Sequence, residues 1–238
     1  MADIVNLGSL YLNGQPKDLG VEYNGEVLSF GNTIPGKTIS FVKWGELLVA
    51  SQCVCSNISW KQLNKAGDIL GRPVKIDGVP YLCRSLKVGE KNGVPNEWDS
   101  ILDNLGEDDN LWHWRGHFFW GQEVSKYEAS TRAFRGYSSA RFWGHGTATY
   151  RVVSVGFRPV LEPLPPEPLV SDTLIGADLK VYGPDAAIIG QLVEYTDYDL
   201  VIELSAQQPS PMERKWAGKD GKHIIIDRSA IVWVQETN

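Results

Sequence analysis

The chain has 238 residues, 42% hydrophobic and 22% charged, enough apolar material for one large domain or a medium one plus a small one, and it is not disordered in character. A net charge of −6 argues against nucleic-acid binding, which needs a basic surface. No apolar run approaches the roughly 18 residues of a membrane helix, and MADIVNLGSL lacks a basic-then-apolar leader, so a cytoplasmic protein with no membrane contact is expected.

Residues 1–40 hold short alternating runs broken by Asn13-Gly14, Asn24-Gly25 and Gly31-Asn32, which predicts a β meander. Phe41 to Cys55 reads as one or two buried strands. Ser59, with Gln62 three residues later, has the capping-box pattern of a helix start, and Gly67 closes that helix. Asp77-Gly78 marks a second hairpin. Asn96 caps a second helix with Glu97 and Asp99 in its first turn, Trp98, Ile101, Leu102 and Leu105 on one face, and Gly106 at its end. From Leu111 onward the chain is rich in aromatic and turn residues, which predicts a long loop region on short strands.

Four prolines between Val160 and Leu169 predict an extended linker over 161–169. Beyond it, alternating runs predict four or five strands in a small β-barrel over 170–238.

Five segments recur in a recognisable order: Ile58-Ser59-Trp60-Lys61-Gln62-Leu63; Arg84-Ser85-Leu86 leading to Asn96-Glu97-Trp98-Asp99; Leu111-Trp112-His113-Trp114; Phe134-Arg135-Gly136; and Gly156-Phe157-Arg158. Over residues 40–161 this resembles the formylglycine-generating-enzyme-like branch of the C-type lectin fold. The resemblance implies an α+β fold, a C-type-lectin-like domain at 1–160 with short helices and twisted antiparallel strands. The same scaffold carries the variable binding domains of diversity-generating retroelements, which also brings a phage or mobile-element origin into view. The chain departs from the family at Tyr137-Ser138-Ser139 and at His113, and it has no cysteine after Cys83. The paired copper-binding cysteines of the oxygen-activating enzymes are therefore missing, and the binding use of the scaffold is what the resemblance leaves.

The C-terminal segment is similar to an Sm-like small barrel at Leu179-Lys180-Val181, at Gly190 through Asp197, and at Arg228 through Val234; an SH3-like barrel fits equally. Residues 169–238 hold 6 Lys and Arg against 11 Asp and Glu, a net of −5, which disfavours RNA and favours homo-oligomerisation or docking.

Between Thr131 and Glu162, aromatic and polar residues alternate with small ones in paratope-like chemistry. Tyr137, Ser139, Arg141, Trp143, His145, Thr147 and Tyr150, with Trp112 and His113, are the expected ligand-binding residues. For Phe142 and Trp143 packing of the loop-rich fold is the favoured reading, and Arg135 and Arg158 are expected to be structural. His113, His117 and His145 allow a metal site or acid–base catalysis to be drawn, but without a convincing cysteine or carboxylate helper, so no metal and no cofactor is expected. Glu107-Asp108-Asp109 reads as a solvated turn rather than a calcium site. Cys53, Cys55 and Cys83 do not make a disulfide framework and read as buried thiols.

The expectation is a non-catalytic protein recognising a small molecule, a glycan or a protein partner. An enzyme on a small polar or nucleotide-like ligand, using His113, His117 or His145, and an RNA-binding Sm-like protein are the alternatives.

Overall fold

The computed structural model describes residues 2–164, 170–184, 186–204 and 215–237; most of the Pro-rich linker, 165–169, lies outside them. The chain divides into two compact units, Met1–Leu164 and Pro165–Asn238.

Local chemistry sets the first elements. β1 (Ile4–Leu12) turns into β2 (Gln15–Pro16) through Asn13-Gly14, whose φ values of 49° and 74° are those of a two-residue hairpin. β3 (Val21–Glu22), β4 (Leu28–Gly31), β5 (Thr38–Trp44), β6 (Leu47–Ala50) and β7 (Cys55–Ser56) follow. Ser59 and Gln62 form the reciprocal capping box of α1 (Trp60–Ala66), and Gly67 closes it in the left-handed region at φ 85°. Asp77-Gly78 joins β8 (Arg72–Ile76) to β9 (Val79–Ser85). Asn96 caps α2 (Glu97–Leu105), which buries Trp98, Ile101 and Leu102.

After α3 (Asp109–Trp112) the aromatic stretch forms more strand than loop: β10 (Phe118–Val124), β11 (Thr131–Gly136), β12 (Trp143–Thr147) and β13 (Val155–Phe157). β14 (Pro159–Pro163) pairs with both β6 and β9, so the first residues expected to be linker still belong to a sheet.

These strands make two sheets. One has the order β2-β1-β5-β6-β14-β9-β8, with β4 also on β1; the other has the order β12-β11-β10-β13-β7-β3. One core lies between them, with Leu10, Phe41 and Leu161 from the first sheet against Trp120, Phe134 and Phe157 from the second. A second core packs Trp98, Ile101 and Trp112 of the helices on Phe119 and Ala133. Burying these side chains is the main favourable term in the unit's stability, each large one contributing roughly 1.5–3 kcal/mol.

The second unit is one antiparallel sheet around its own core. Its strands are β15 (Asp178–Tyr182), β16 (Ala187–Tyr195), β17 (Asp199–Leu204), β18 (Ala217–Asp220), β19 (His223–Asp227) and β20 (Trp233–Glu236), in the order β18-β19-β17-β16-β15-β20.

Among the described residues strand makes up 47% and helix 12%, in three sheets with a half-barrel. The expected α+β fold, a C-type-lectin-like domain followed by a small Sm-like or SH3-like barrel, is therefore corrected to two β-rich units. The helices, at 7, 9 and 4 residues, are too short to form a layer of their own, and the aromatic stretch contributes strands. Among the described residues no helix is long and apolar enough to cross a membrane.

Candidate functional site

The motif residues of the sequence are scaffold. Arg84, nearly buried, donates to Glu97 (Nη2–Oε1 2.7 Å) and Glu162 (Nε–Oε2 3.0 Å), tying β9 to α2 and β14. Arg135, also buried, donates to the carbonyls of Val88 and Arg141 and meets Asp99 at 2.7 Å. Burial lowers its pKa, and Asp99 partly offsets this. Arg158 is fully buried, with Nη1 on the carbonyls of Ala50 (3.0 Å) and Ser51 (2.7 Å) and Nη2 on that of Trp112. Both arginines bridge backbone carbonyls, those on Arg158 including the ends of β6 and α3.

The residues expected to bind ligand fall on two faces of the β11–β12 ladder. The register pairs Arg135 with Trp143, Ala133 with His145 and Thr131 with Thr147, and opposed residues share a face, so Trp143, His145 and Thr147 project together. β12 is the edge strand of its sheet. Strand alternation puts Gly144 and Gly146 on the reverse face, where the Phe134 ring fills the place of a Gly144 side chain and packs closely on Gly146.

Tyr127, from the β10–β11 connection, completes a three-ring cluster on the outer face. Its ring centroid lies 5.5 Å from Trp143 and 5.9 Å from His145, and Trp143 and His145 are 5.6 Å apart. Trp143 Nε1 donates to the Gly89 carbonyl at 2.8 Å, which holds the indole in place. The Thr131 hydroxyl donates to the Glu128 carbonyl and so accepts from His145 Nδ1–H at 2.9 Å. That assignment leaves Nε2 of the neutral ring as a free acceptor. Among the described residues, the Tyr127 hydroxyl, His145 Nε2 and the Thr147 hydroxyl have no hydrogen-bond partner.

Tyr137 lies on the other side. Its backbone, at φ 76°, donates to the Trp114 and His117 carbonyls, and its ring stacks on Phe118 at 4.7 Å. Phe118 also contacts Phe134 and Phe142, and Tyr150 flanks Gly146 on this reverse face. The expected set is thus split: Trp143, His145 and Thr147 act together, while Tyr137 and Tyr150 look the other way.

Two expected binding residues have their side chains otherwise engaged. Trp112 is fully buried with Nε1 on the Gly106 carbonyl, and is core. Arg141 is spent on Asp103 (2.7 Å) and Glu107, whose hydrogen bonds raise its pKa. Ser139 accepts the Phe142 N–H through its carbonyl, and its hydroxyl has no partner among the described residues.

His113, in the left-handed cap of α3 at φ 45°, lines a cavity of about 270 Å³ with His117, apart from His145. The three histidines from which a metal or acid–base site could be drawn therefore do not share this cavity. Among the described residues no three His, Cys, Asp or Glu side chains gather as a metal site. Glu107-Asp108-Asp109 is occupied too: Glu107 on Arg141, Asp108 capping α3, and Asp109 accepting the Arg115 backbone N–H. The thiols of Cys53, Cys55 and Cys83 are free and buried; burial pushes Cys53 up to about 11, Cys55 higher still and Cys83 well above the ordinary thiol value, so none is a ready thiolate.

Tyr127 escaped the sequence reasoning, since its only local signal is a polar turn. No protein-family model, curated protein or solved structure matches the chain.

Proposed function

We propose that this chain is a non-catalytic recognition protein that binds a glycan or a similar polyhydroxylated molecule on the outer face of the β11–β12 ladder. The supporting observation is the Tyr127–Trp143–His145 cluster, whose rings adjoin three polar atoms with no partner among the described residues. Aromatic rings offer a rigid apolar surface to the C–H face of a sugar, and adjacent hydroxyl and imidazole groups take its hydroxyls. Rings already held by neighbours lose little conformational freedom on binding.

The half-barrel serves oligomerisation or docking; its order ends on the short strands β18 and β20, which offer edge backbone to another chain. Three buried thiols without a disulfide fit a reducing compartment such as the cytoplasm.

The test is a glycan panel probed with wild type, Tyr127→Ala, His145→Ala and, as reverse-face control, Tyr137→Ala. A panel ligand is expected to lose at least about tenfold in affinity with either of the first two and to keep it with the third. A panel without binders, or a ligand indifferent to Tyr127 and His145, refutes the proposal.

A further inference from the structure

We infer a second binding site in the first unit, independent of the aromatic face: the cavity lined by Gln52, Ser56, His113, Arg115 and His117 takes a small oxyanion, the phosphate or carboxylate group of a small molecule. The cavity measures about 270 Å³, just below the roughly 300–1,000 Å³ of drug-sized sites, which suits a ligand of few atoms.

Its donors are unspent. Among the described residues, neither the His113 nor the His117 ring, nor the Gln52 side-chain amide, nor the Arg115 guanidinium makes a hydrogen bond. The Arg115 side chain is 76% exposed, and its closest carboxylate contact, to Asp109, is long at 3.7 Å. Asp109 is the one carboxylate in the lining, and its Oδ1 already accepts the Arg115 backbone N–H at 2.9 Å.

A second cation stands behind the wall. Arg158 holds the carbonyls of Ala50 and Ser51, just before Gln52 and Cys53, and that of Trp112, just before His113. One buried guanidinium thus braces two segments of the lining. It pairs with no carboxylate within salt-bridge distance among the described residues; carbonyls and the faces of Trp98 and Phe119 are its neighbours, and Nε has no partner. Burial lowers its pKa to about 10, which leaves it charged at neutral pH, and its field reaches Cys53 in the lining. Asp109 in the lining is the one carboxylate whose charge reaches Arg158, from beyond salt-bridge distance, and a buried cation with no closer counter-ion still favours an anion nearby, because little solvent screens it.

The wall is also preorganised. Gly136, at φ 103°, packs so closely on the His117 carbonyl that no side chain fits, and Tyr137 N–H donates to the same oxygen at 2.9 Å. Little backbone ordering is left for a ligand to impose at His117, whose exposed ring is held by no hydrogen bond among the described residues.

The experiment titrates the full chain with inorganic phosphate and, separately, succinate, against chloride at matched ionic strength, following backbone amide resonances. Either oxyanion is expected to give saturable shifts centred on Gln52, Ser56 and Arg115 to His117. The arm that binds more tightly identifies the phosphate or the carboxylate source. Arg115→Ala should weaken binding at least tenfold and His117→Gln severalfold, while Tyr127→Ala leaves it unchanged. Shifts no larger than those from chloride, or affinity that survives in the Arg115→Ala/His117→Gln double variant, overturn the assignment. Neither result bears on the glycan panel, which reads the other face.

Discussion

Arg135 Nη2 and Asp99 Oδ2 meet at 2.7 Å, joining the first turn of α2 to the strand that carries the candidate face. The guanidinium is almost fully buried and also serves two carbonyls, so losing it strands several groups at once. Arg135→Ala should destabilise the first unit by about 3 kcal/mol, measured by urea unfolding. Arg135→Lys should recover little, because a single ammonium does not reproduce the planar fork that meets Val88, Arg141 and Asp99. A loss below about 1 kcal/mol would show that the pair is dispensable.

Gly144 lies with its bare face on the Phe134 ring, outside the positive-φ region, so a substitution there meets a steric obstacle rather than backbone strain. Gly144→Ala should cost about 1–3 kcal/mol. Adding Phe134→Leu should restore part of that loss, giving a non-zero coupling in a double-mutant cycle. Additive losses would place the obstacle elsewhere.

Asp68 is fully buried and held by Arg72 at 2.7 Å, yet burial outweighs that attraction and pushes its carboxyl up to about 6. Between the unfolded value near 3.8 and this folded value, the native chain keeps a proton that the unfolded chain releases. The contribution to stability is full below about pH 4 and is lost as pH rises through 6. Its size is about 3 kcal/mol. Unfolding of wild type and Asp68→Asn compared at pH 4 and pH 7 should show this loss only in the wild type. Parallel pH dependences would rule it out.

In the second unit, Gly190 of β16 leaves no room for a side chain, since one would press on the Glu203 carbonyl and, at 2.7 Å, on the Ile202 methyl. Gly190→Ala should destabilise that unit by about 2 kcal/mol. Calorimetry resolving two transitions should show one displaced and the other unmoved, in keeping with the division at Leu164 and Pro165. Equal displacement of both would mean that the units unfold together.

How much of this was legible depended on range. Asn13-Gly14, Asp77-Gly78, the Ser59–Gln62 box and the Asn96 cap are contacts between residues no more than a few positions apart, and each stands where local chemistry put it. The parallel pairs of β3 with β7 and of β10 with β13 join distant segments, which no local signal specifies. Trp143-Gly144-His145-Gly146-Thr147 does carry a strand period, but its inward positions are glycines, so counting apolar residues does not reveal it. The split of the aromatic set over two faces follows from that alternation, and Tyr127 joins it only through a turn. The cavity brings Gln52 to Ser56 against Asp109 to His117, a meeting that only the tertiary structure makes.

Cys55 on β7 and Cys83 on β9 are fully buried, one in each sheet of the first unit. Each is therefore a silent clock for its own sheet. An alkylating reagent would modify either thiol only during an opening event, so the two labelling rates time how often each sheet comes apart. Matching rates would mark the two sheets as one cooperative body, and divergent rates would show which gives way first.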